Sequence, residues 1–135
     1  MTHEKRVEIR WRDVDALMHV NNAVYATYLE ECRDEWVRRA LGELGDTWDW
    51  VLARVAIDFR RELRLEDEEV LVSCALQRVG TSSLVLHEEV RTLDGEIAAE
   101  AEAVIVARDS DTGRSRPLTL AEREALERSL PGTGR

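Results

Sequence analysis

The sequence has few of the residues that build disulfides and metal centres. It contains two cysteines, Cys32 and Cys74, which can form at most one disulfide and lack the spacing of metal ligands. Its three histidines, His3, His19 and His87, lie far apart and show no zinc-type spacing. We therefore expect free thiols and no metal site.

Long apolar runs and an excess of positive charge are also missing. No segment approaches the about 20 apolar residues of a membrane span, and the opening residues MTHEKR lack the apolar stretch of a signal peptide. The 19 Lys and Arg residues stand against 28 Asp and Glu residues, which gives a net charge of -9. Because such a surface repels phosphates on average, we expect no nucleic-acid partner. The missing apolar segments lead us to expect a cytoplasmic protein without a membrane partner.

The remaining composition is that of one globular domain. Of the 135 residues, 44% are hydrophobic and 35% are charged, which suits a chain with a single packed core. The sequence has no internal repeat or low-complexity stretch. We expect a single domain over residues 1–135, in which residues 131–135 form a frayed tail.

Hydrophobic periodicity predicts a strand, a long helix and a further series of strands. Residues 7–12 alternate between apolar and polar, as in a half-buried strand, and from about Asn22 to Leu41 the apolar spacing becomes helical. Alternation then returns in residues 55–59, 70–76, 84–90 and 97–107. A capping box at residues 119–122 predicts a short helix that ends near Leu130. This order predicts an α+β fold with the long helix on a mostly antiparallel sheet.

Polar side chains concentrate between the first predicted strand and the long helix. The first turn of a helix presents N–H groups without intrahelical partners, and these can polarise a carbonyl oxygen. A carboxylate just before that turn can attack a carbonyl or take a proton from water. Asp and Asn are also ordinary turn and cap residues, so both interpretations stay open at this point. The residues concerned are Asp13, Asp15, His19, Asn21 and Asn22.

Other catalytic motifs are missing. The sequence has no GxGxxG, no P-loop and no GxSxG. A phosphate-cradling loop and a serine hydrolase therefore lack support.

The polar segment and the helix after it carry a family resemblance. The run DVDALMHVNNAVYATYLEECR resembles the opening signature of hotdog-fold acyl-CoA thioesterases related to 4-hydroxybenzoyl-CoA thioesterase, where D-x-D and a turn usually written GHVNN precede a long helix. Two later runs, VAIDFRREL and RVGTSSL, resemble further strands of that family, so that the resemblance covers residues 7–108. It implies a hotdog fold, in which a mostly antiparallel sheet of about five strands wraps one long central helix, with a short C-terminal helix.

The resemblance implies hydrolysis of an acyl-CoA thioester to a free acid and CoA, without a metal or organic cofactor. By position, Asp15 is the nucleophile or general base, and the backbone N–H of Asn22 polarises the thioester carbonyl. Asp13 is a turn former. His19 either orients water or substrate or hydrogen-bonds a neighbouring backbone group. The predicted substrate contacts are Tyr25, Arg60, Arg78, Thr81, Ser82 and Ser83.

Two departures from the family pattern affect this assignment. Met18 stands where the family usually has Gly, which is unfavourable if the turn needs a positive φ. Residues 78–83 offer one cation, Arg78, where some relatives have a basic cluster for the CoA phosphates. Arg60, Arg61 and Arg64 could compensate. Otherwise the acyl carrier would be an acyl-carrier protein, for which a net charge of -9 is a poor match.

The resemblance also implies self-association. Two sheets are expected to join edge to edge in a dimer, with the acyl channel between protomers, and pairing of dimers into a tetramer stays open. The alternative function is a non-catalytic acyl-thioester-binding or assembly module that uses the same groove, and the departure at Met18 favours it. A hotdog dehydratase is less well supported, because the motif offers no His–Asp or His–Glu site on the helix.

Overall fold

The computed structural model describes residues 1–45 and 49–130, so the predicted frayed tail lies outside the described residues. Within these residues the chain forms the following elements: β1 (Thr2–Glu8), α1 (Asn22–Leu41), β2 (Trp50–Phe59), β3 (Glu69–Val79), β4 (Ser83–Thr92), β5 (Ile97–Ala107) and α2 (Leu120–Glu127). The strands form one sheet in the order β1-β3-β4-β5-β2, and all neighbouring strands are antiparallel. The predicted α+β architecture is confirmed. Neither helix has the length and apolar character needed to cross a membrane.

The long helix α1 begins and ends where the apolar spacing predicts. Asn21 is its N-cap, because the side-chain oxygen accepts the N–H of Ala23 at 2.9 Å. Leu29 and Trp36, on the apolar face of α1, are completely buried. It packs chiefly on β1, β3 and β4. Strand β2 therefore lies to one side of the helix and not directly beneath it.

The first strand lies earlier in the chain than predicted. Alternation predicts a strand over residues 7–12, whereas β1 covers only the start of that span and a 3-10 turn follows at Trp11–Asp13. The carboxylate of Asp13 accepts the backbone N–H of Arg10 at 2.9 Å, and this local bond closes the turn. Trp11 therefore leaves the predicted buried face and is 75% exposed.

The later elements agree with the prediction. All four predicted strands fall within β2 to β5, and the bounds of β5 are those predicted. Thr119 and Glu122 form the predicted capping box, in which each backbone N–H donates to the other side chain, at 2.8 and 3.1 Å. The helix α2 ends at Glu127, three residues before the predicted end.

Both cysteines are free, as predicted, and both are fully buried. Burial raises the pKa of the Cys32 thiol to about 12 and raises that of Cys74 further still. The two thiols therefore stay protonated and act as small apolar core groups.

Strand β2 forms one edge of the sheet. It pairs with β5 on one side, and its other side has no strand partner in the described chain. Three large apolar side chains on this edge strand, Val51, Leu52 and Phe59, are 44%, 41% and 45% exposed. A single chain thus leaves an apolar sheet edge in water.

Candidate active site

The segment before α1 folds into a tight turn. The N–H of Asp15 donates to the carbonyl oxygen of His19 at 3.1 Å, and the N–H of Met18 donates to the carbonyl oxygen of Asp15 at 2.9 Å. Met18 has a φ of 65°, in the left-handed region. The position where the resembled family usually has Gly therefore needs a positive φ, and Met adopts it.

The carboxylate of Asp15 is half-buried and held by two donors. The N–H of Leu17 donates to one oxygen at 3.0 Å, and the side-chain amide of Asn21 donates to the other at 3.2 Å. Because each oxygen of a carboxylate has more than one acceptor site, Asp15 can still accept a proton or attack an electrophile.

The start of α1 offers one free N–H, on the residue after Asn21, whose side chain bonds this carboxylate. The N–H groups of Ala23 and Val24 both donate to Asn21, to its side-chain and backbone oxygens respectively, each at 2.9 Å. The N–H of Asn22 has no acceptor among the described residues. This donor lies at the positive end of the helix dipole, where it can stabilise a carbonyl oxygen that gains negative charge.

A shallow cavity of about 240 Å³ lies beside the helix start. It brings together four predicted site residues, His19, Asn22, Tyr25 and Arg60, and adds Phe59. The alternation in β2 predicted which face of the strand Phe59 occupies. No pattern in the sequence predicted that Phe59 lines the cavity. Asp15 adjoins the cavity through its backbone bond to His19 and does not itself line it within one chain.

The side chain of His19 has a partner that the sequence did not reveal. Its Nε2 lies 3.0 Å from Oε2 of Glu62, a side chain, and not from the neighbouring backbone group that is one of the two expected alternatives for His19. The backbone carbonyl of His19 accepts the N–H of Asp15 instead. Glu62 is distant in sequence, and only the fold brings it to the cavity. The role of His19 towards water or substrate stays a prediction.

Tyr25 supplies an apolar wall to the cavity. Its hydroxyl donates to the carbonyl oxygen of Arg61 at 3.1 Å, and its ring meets Phe59 edge-on, with centroids 5.0 Å apart. Burial raises the pKa of Tyr25, so the phenol stays protonated. Tyr25 is 2% exposed and Phe59 is 45% exposed, so Phe59 provides the accessible apolar surface and Tyr25 supports it from beneath.

Asp13 is a turn former, as predicted, and its carboxylate is buried. It accepts the hydroxyl of Tyr28 at 2.7 Å as well as the N–H of Arg10. Burial alone would raise the pKa of Asp13, but these donors outweigh it, so the pKa lies below its usual value. Asp13 is therefore ionised and fully occupied in holding the turn.

The arginines expected to supply positive charge are already paired within the chain. Arg60 lies 3.1 Å from a glutamate on β5, and Arg61 and Arg64 each lie 3.2 Å from a nearby carboxylate. Their partners are, in that order, Glu100, Asp67 and Glu62. Much of the positive charge near the cavity is therefore balanced before any phosphate binds.

The predicted contacts in the β3–β4 turn lie at the other end of the sheet. Phe59, at the cavity, pairs with Ala99 of β5, whereas Ser83 pairs with Val106. These two positions on β5 are seven residues apart, or about 23 Å at roughly 3.3 Å per residue. Within one chain the structure therefore does not bring the turn residues to the cavity. The four predicted contacts are Arg78 near the end of β3, Thr81 and Ser82 in the turn, and Ser83 at the start of β4.

One cluster could hold a metal ion, which the sequence did not lead us to expect. His87, Glu89 and Glu100 present ligand atoms within 4.8 Å of one another on the outer face of the sheet. Arg91 lies 2.7 Å from Glu89, and Arg60 pairs with Glu100. These cations compete with a metal ion for the same oxygens.

Replacing Met18 with Gly should stabilise the fold by about 1 kcal/mol, because Gly adopts a positive φ without the clash of a Cβ, a gain partly offset by its freer unfolded chain. Met18→Ala is the matched control, since it shortens the side chain but keeps the Cβ, and we expect no gain from it. Urea unfolding of both variants measures the difference. Equal stabilities for the Gly and Ala variants would contradict the strain at Met18.

The chain is similar to known thioesterases in sequence and in structure. The family profile of the thioesterase-like superfamily matches residues 9–126. The long-chain acyl-CoA thioesterase FadM of Escherichia coli (strain K12) is 27% identical, over 94% of this chain and 98% of FadM. A thioesterase from Thermus thermophilus, solved with coenzyme A and Zn, is 35% identical with a TM-score of 0.83, over 93% of this chain and 91% of that one. A predicted thioesterase from Bacillus stearothermophilus shares the fold, with 24% identity and a TM-score of 0.87, over 99% of this chain and 100% of that one.

Proposed function

Since the chain belongs to the thioesterase-like superfamily, we propose that it hydrolyses the thioester bond of acyl-CoA with Asp15 as the reacting carboxylate. Membership of this superfamily, with its thioesterase relatives, confirms two predictions from the sequence, the hotdog fold and thioester hydrolysis. The acyl-CoA substrate, the role of Asp15 and the assembly of two chains are the parts that we propose.

The observation that carries the proposal is the side-chain bond between Asp15 and Asn21, the residue directly before the free N–H of Asn22. A thioester carbonyl that accepts this N–H gains an electrophilic carbon near a negatively charged oxygen. In the nucleophilic route, an Asp15 oxygen bonds to that carbon, the C–S bond breaks, and CoA leaves as the thiolate. Water then hydrolyses the mixed anhydride. In the general-base route, Asp15 takes a proton from the water that attacks the same carbon, the C–S bond breaks, and the departing CoA thiolate takes up that proton.

Several observations favour CoA as the acyl carrier. FadM acts on long-chain acyl-CoA, and the Thermus thermophilus thioesterase was solved with coenzyme A. The net charge of -9 disfavours docking of an acidic acyl-carrier protein. The expected cytoplasmic location agrees with such a substrate and stays a prediction.

We further propose that the active protein is a dimer joined along β2. Pairing of two β2 edges would close this edge of the sheet and cover Val51 and Leu52. In an antiparallel pair around a two-fold axis, the start of one β2 lies beside the end of the other. The β3–β4 turn of a second copy would then approach the cavity. This assembly accounts for predicted substrate contacts that lie far from the cavity in one chain.

The alternative of a non-catalytic binding module loses its main support. That alternative rested on Met18, where the resembled family usually has Gly. Met18 nevertheless holds a φ of 65°, and the turn keeps Asp15 bonded to Asn21 beside the N–H of Asn22. The turn around Met18 therefore gives no reason to prefer the binding module.

The proposal is tested with a panel of CoA thioesters, for example acetyl-, hexanoyl-, lauroyl-, palmitoyl- and benzoyl-CoA. We expect saturable release of free CoA, followed with a chromogenic thiol reagent, and one molecule of free acid per thiol. The same acyl groups on an acyl-carrier protein serve as the comparison, and we expect much slower release from them. Saturable binding of acyl-CoA without release above background would support the binding module instead.

A further inference from the structure

Asn21 makes two side-chain contacts that join the helix start to Asp15. Its Oδ1 accepts the N–H of Ala23 at 2.9 Å and so caps α1. Its Nδ2 donates to Oδ2 of Asp15 at 3.2 Å. A helix cap needs only the oxygen, and Ser, Thr or Asp would serve equally well there. The contact with Asp15 needs the amide N–H as well, which Asn supplies at a suitable length.

The position of Asn21 is itself fixed by Asp13, which buried contacts hold in place. Its backbone N–H donates to the carbonyl oxygen of Asp13 at 2.9 Å. The carboxylate of Asp13 is in turn held by the N–H of Arg10 and by the hydroxyl of Tyr28, a completely buried residue of α1. A buried phenol, a buried carboxylate and a backbone bond therefore place Asn21 where its amide meets Asp15.

Without the amide of Asn21, little would hold the reacting carboxylate. The other donor to Asp15 is the N–H of Leu17, which lies on the same exposed turn two residues away. The side chain of Asp15 could then rotate away from the N–H of Asn22. A displacement of about 1 Å in a reacting group can lower a rate by about 10²-fold.

We propose that Asn21 is a positioning residue for thioester hydrolysis, which orients the Asp15 carboxylate while it caps α1. This inference rests on the proposed role of Asp15. The capping role and the positioning role of Asn21 can be separated by experiment, because a substitution can keep the cap oxygen and remove the N–H donor.

Two variants test the inference with the acyl-CoA that the wild-type chain hydrolyses fastest. Asn21→Ser keeps a cap oxygen on a shorter side chain. Asn21→Asp keeps the shape and the cap but replaces the donor with a negative charge beside Asp15. We expect kcat to fall by about 10-fold or more in the Ser variant and by about 100-fold in the Asp variant, with KM within about threefold of wild type. We expect Tm to change little in both, since Ser and Asp are good cap residues.

Thr119→Ala is the matched control, because it removes the cap of α2 without touching the cavity. It should lower Tm and leave kcat unchanged. If both Asn21 variants are folded and keep kcat within about twofold of wild type while Asp15→Asn is inactive, Asn21 only caps the helix and the inference is wrong. If Asp15→Asn is as active as wild type, the proposed role of Asp15 fails, and the inference with it. Should the Ser variant not fold, Asn21→Gly replaces it, since Gly is tolerated at the cap and carries no donor.

Discussion

Replacing Asp15 with Asn should lower kcat for acyl-CoA hydrolysis by about 10²–10⁴-fold. The amide has nearly the shape of the carboxylate, and its oxygen can still accept the N–H of Leu17, so the turn should keep its form. It has no negative charge with which to attack the thioester carbon or to take a proton from water. The measurement is steady-state release of CoA thiol, with circular dichroism and gel filtration to establish that folding and assembly are retained.

Asp111→Asn provides the matched control for this substitution. Asp111 is an exposed aspartate in the turn after β5, and the same chemical change there should leave kcat at the wild-type value. Near-normal turnover by Asp15→Asn would show that another group carries out the reaction. The bonds of Asp15 would then serve only to hold the turn before α1.

Removing the positive charge of Arg33 should destabilise the fold more than any other substitution considered above. Arg33 on α1 donates twice to Glu88 on β4, at 2.8 and 2.9 Å, and the two residues are 5% and 0% exposed. Burial disfavours the charged form of Arg33, but the bonds and charge of Glu88 outweigh it, so the pKa of Arg33 lies above its usual value. Arg33→Met would leave Glu88 buried without its partner, at a loss of about 3–5 kcal/mol.

The double variant Arg33→Met with Glu88→Leu should recover most of this loss, because two apolar side chains leave no buried charge unpaired. The exposed pair of Arg54 and Glu102, at 3.1 Å and with side chains 58% and 48% exposed, is the control. Arg54→Met should lose no more than about 1 kcal/mol. Urea unfolding at fixed protein concentration measures all three. A loss for Arg33→Met no larger than that of the control would contradict the importance of the buried pair.

The sequence predicted those elements whose signals are local. The bounds of α1 follow from helical apolar spacing and from the cap at Asn21, both of which lie within a few residues of the ends they determine. The strand predicted over residues 7–12 was misplaced for a related reason. A carboxylate at Asp13 bonds back to Arg10 and closes a turn, and this contact outweighs the alternation.

The candidate site was predictable only where it is continuous in sequence. Asp15 bonds the side chain of Asn21, the residue before Asn22, so these predicted residues lie in one continuous segment of turn and helix start. Glu62 reaches His19 through the fold, and no periodic pattern records such a contact. The β3–β4 turn was assigned to the same site, yet strand alternation does not reveal which end of a sheet a turn occupies.

The two sulfhydryl groups have a practical consequence for measuring this enzyme. Both are shielded in the interior, and burial holds the pKa of Cys32 at about 12. Colour reagents for free sulfhydryls react with the ionised form, so the native protein should give almost no blank in a CoA-release assay. Unfolding would expose two reactive groups per chain. A slow increase in colour without substrate would therefore report loss of the native state in the same cuvette.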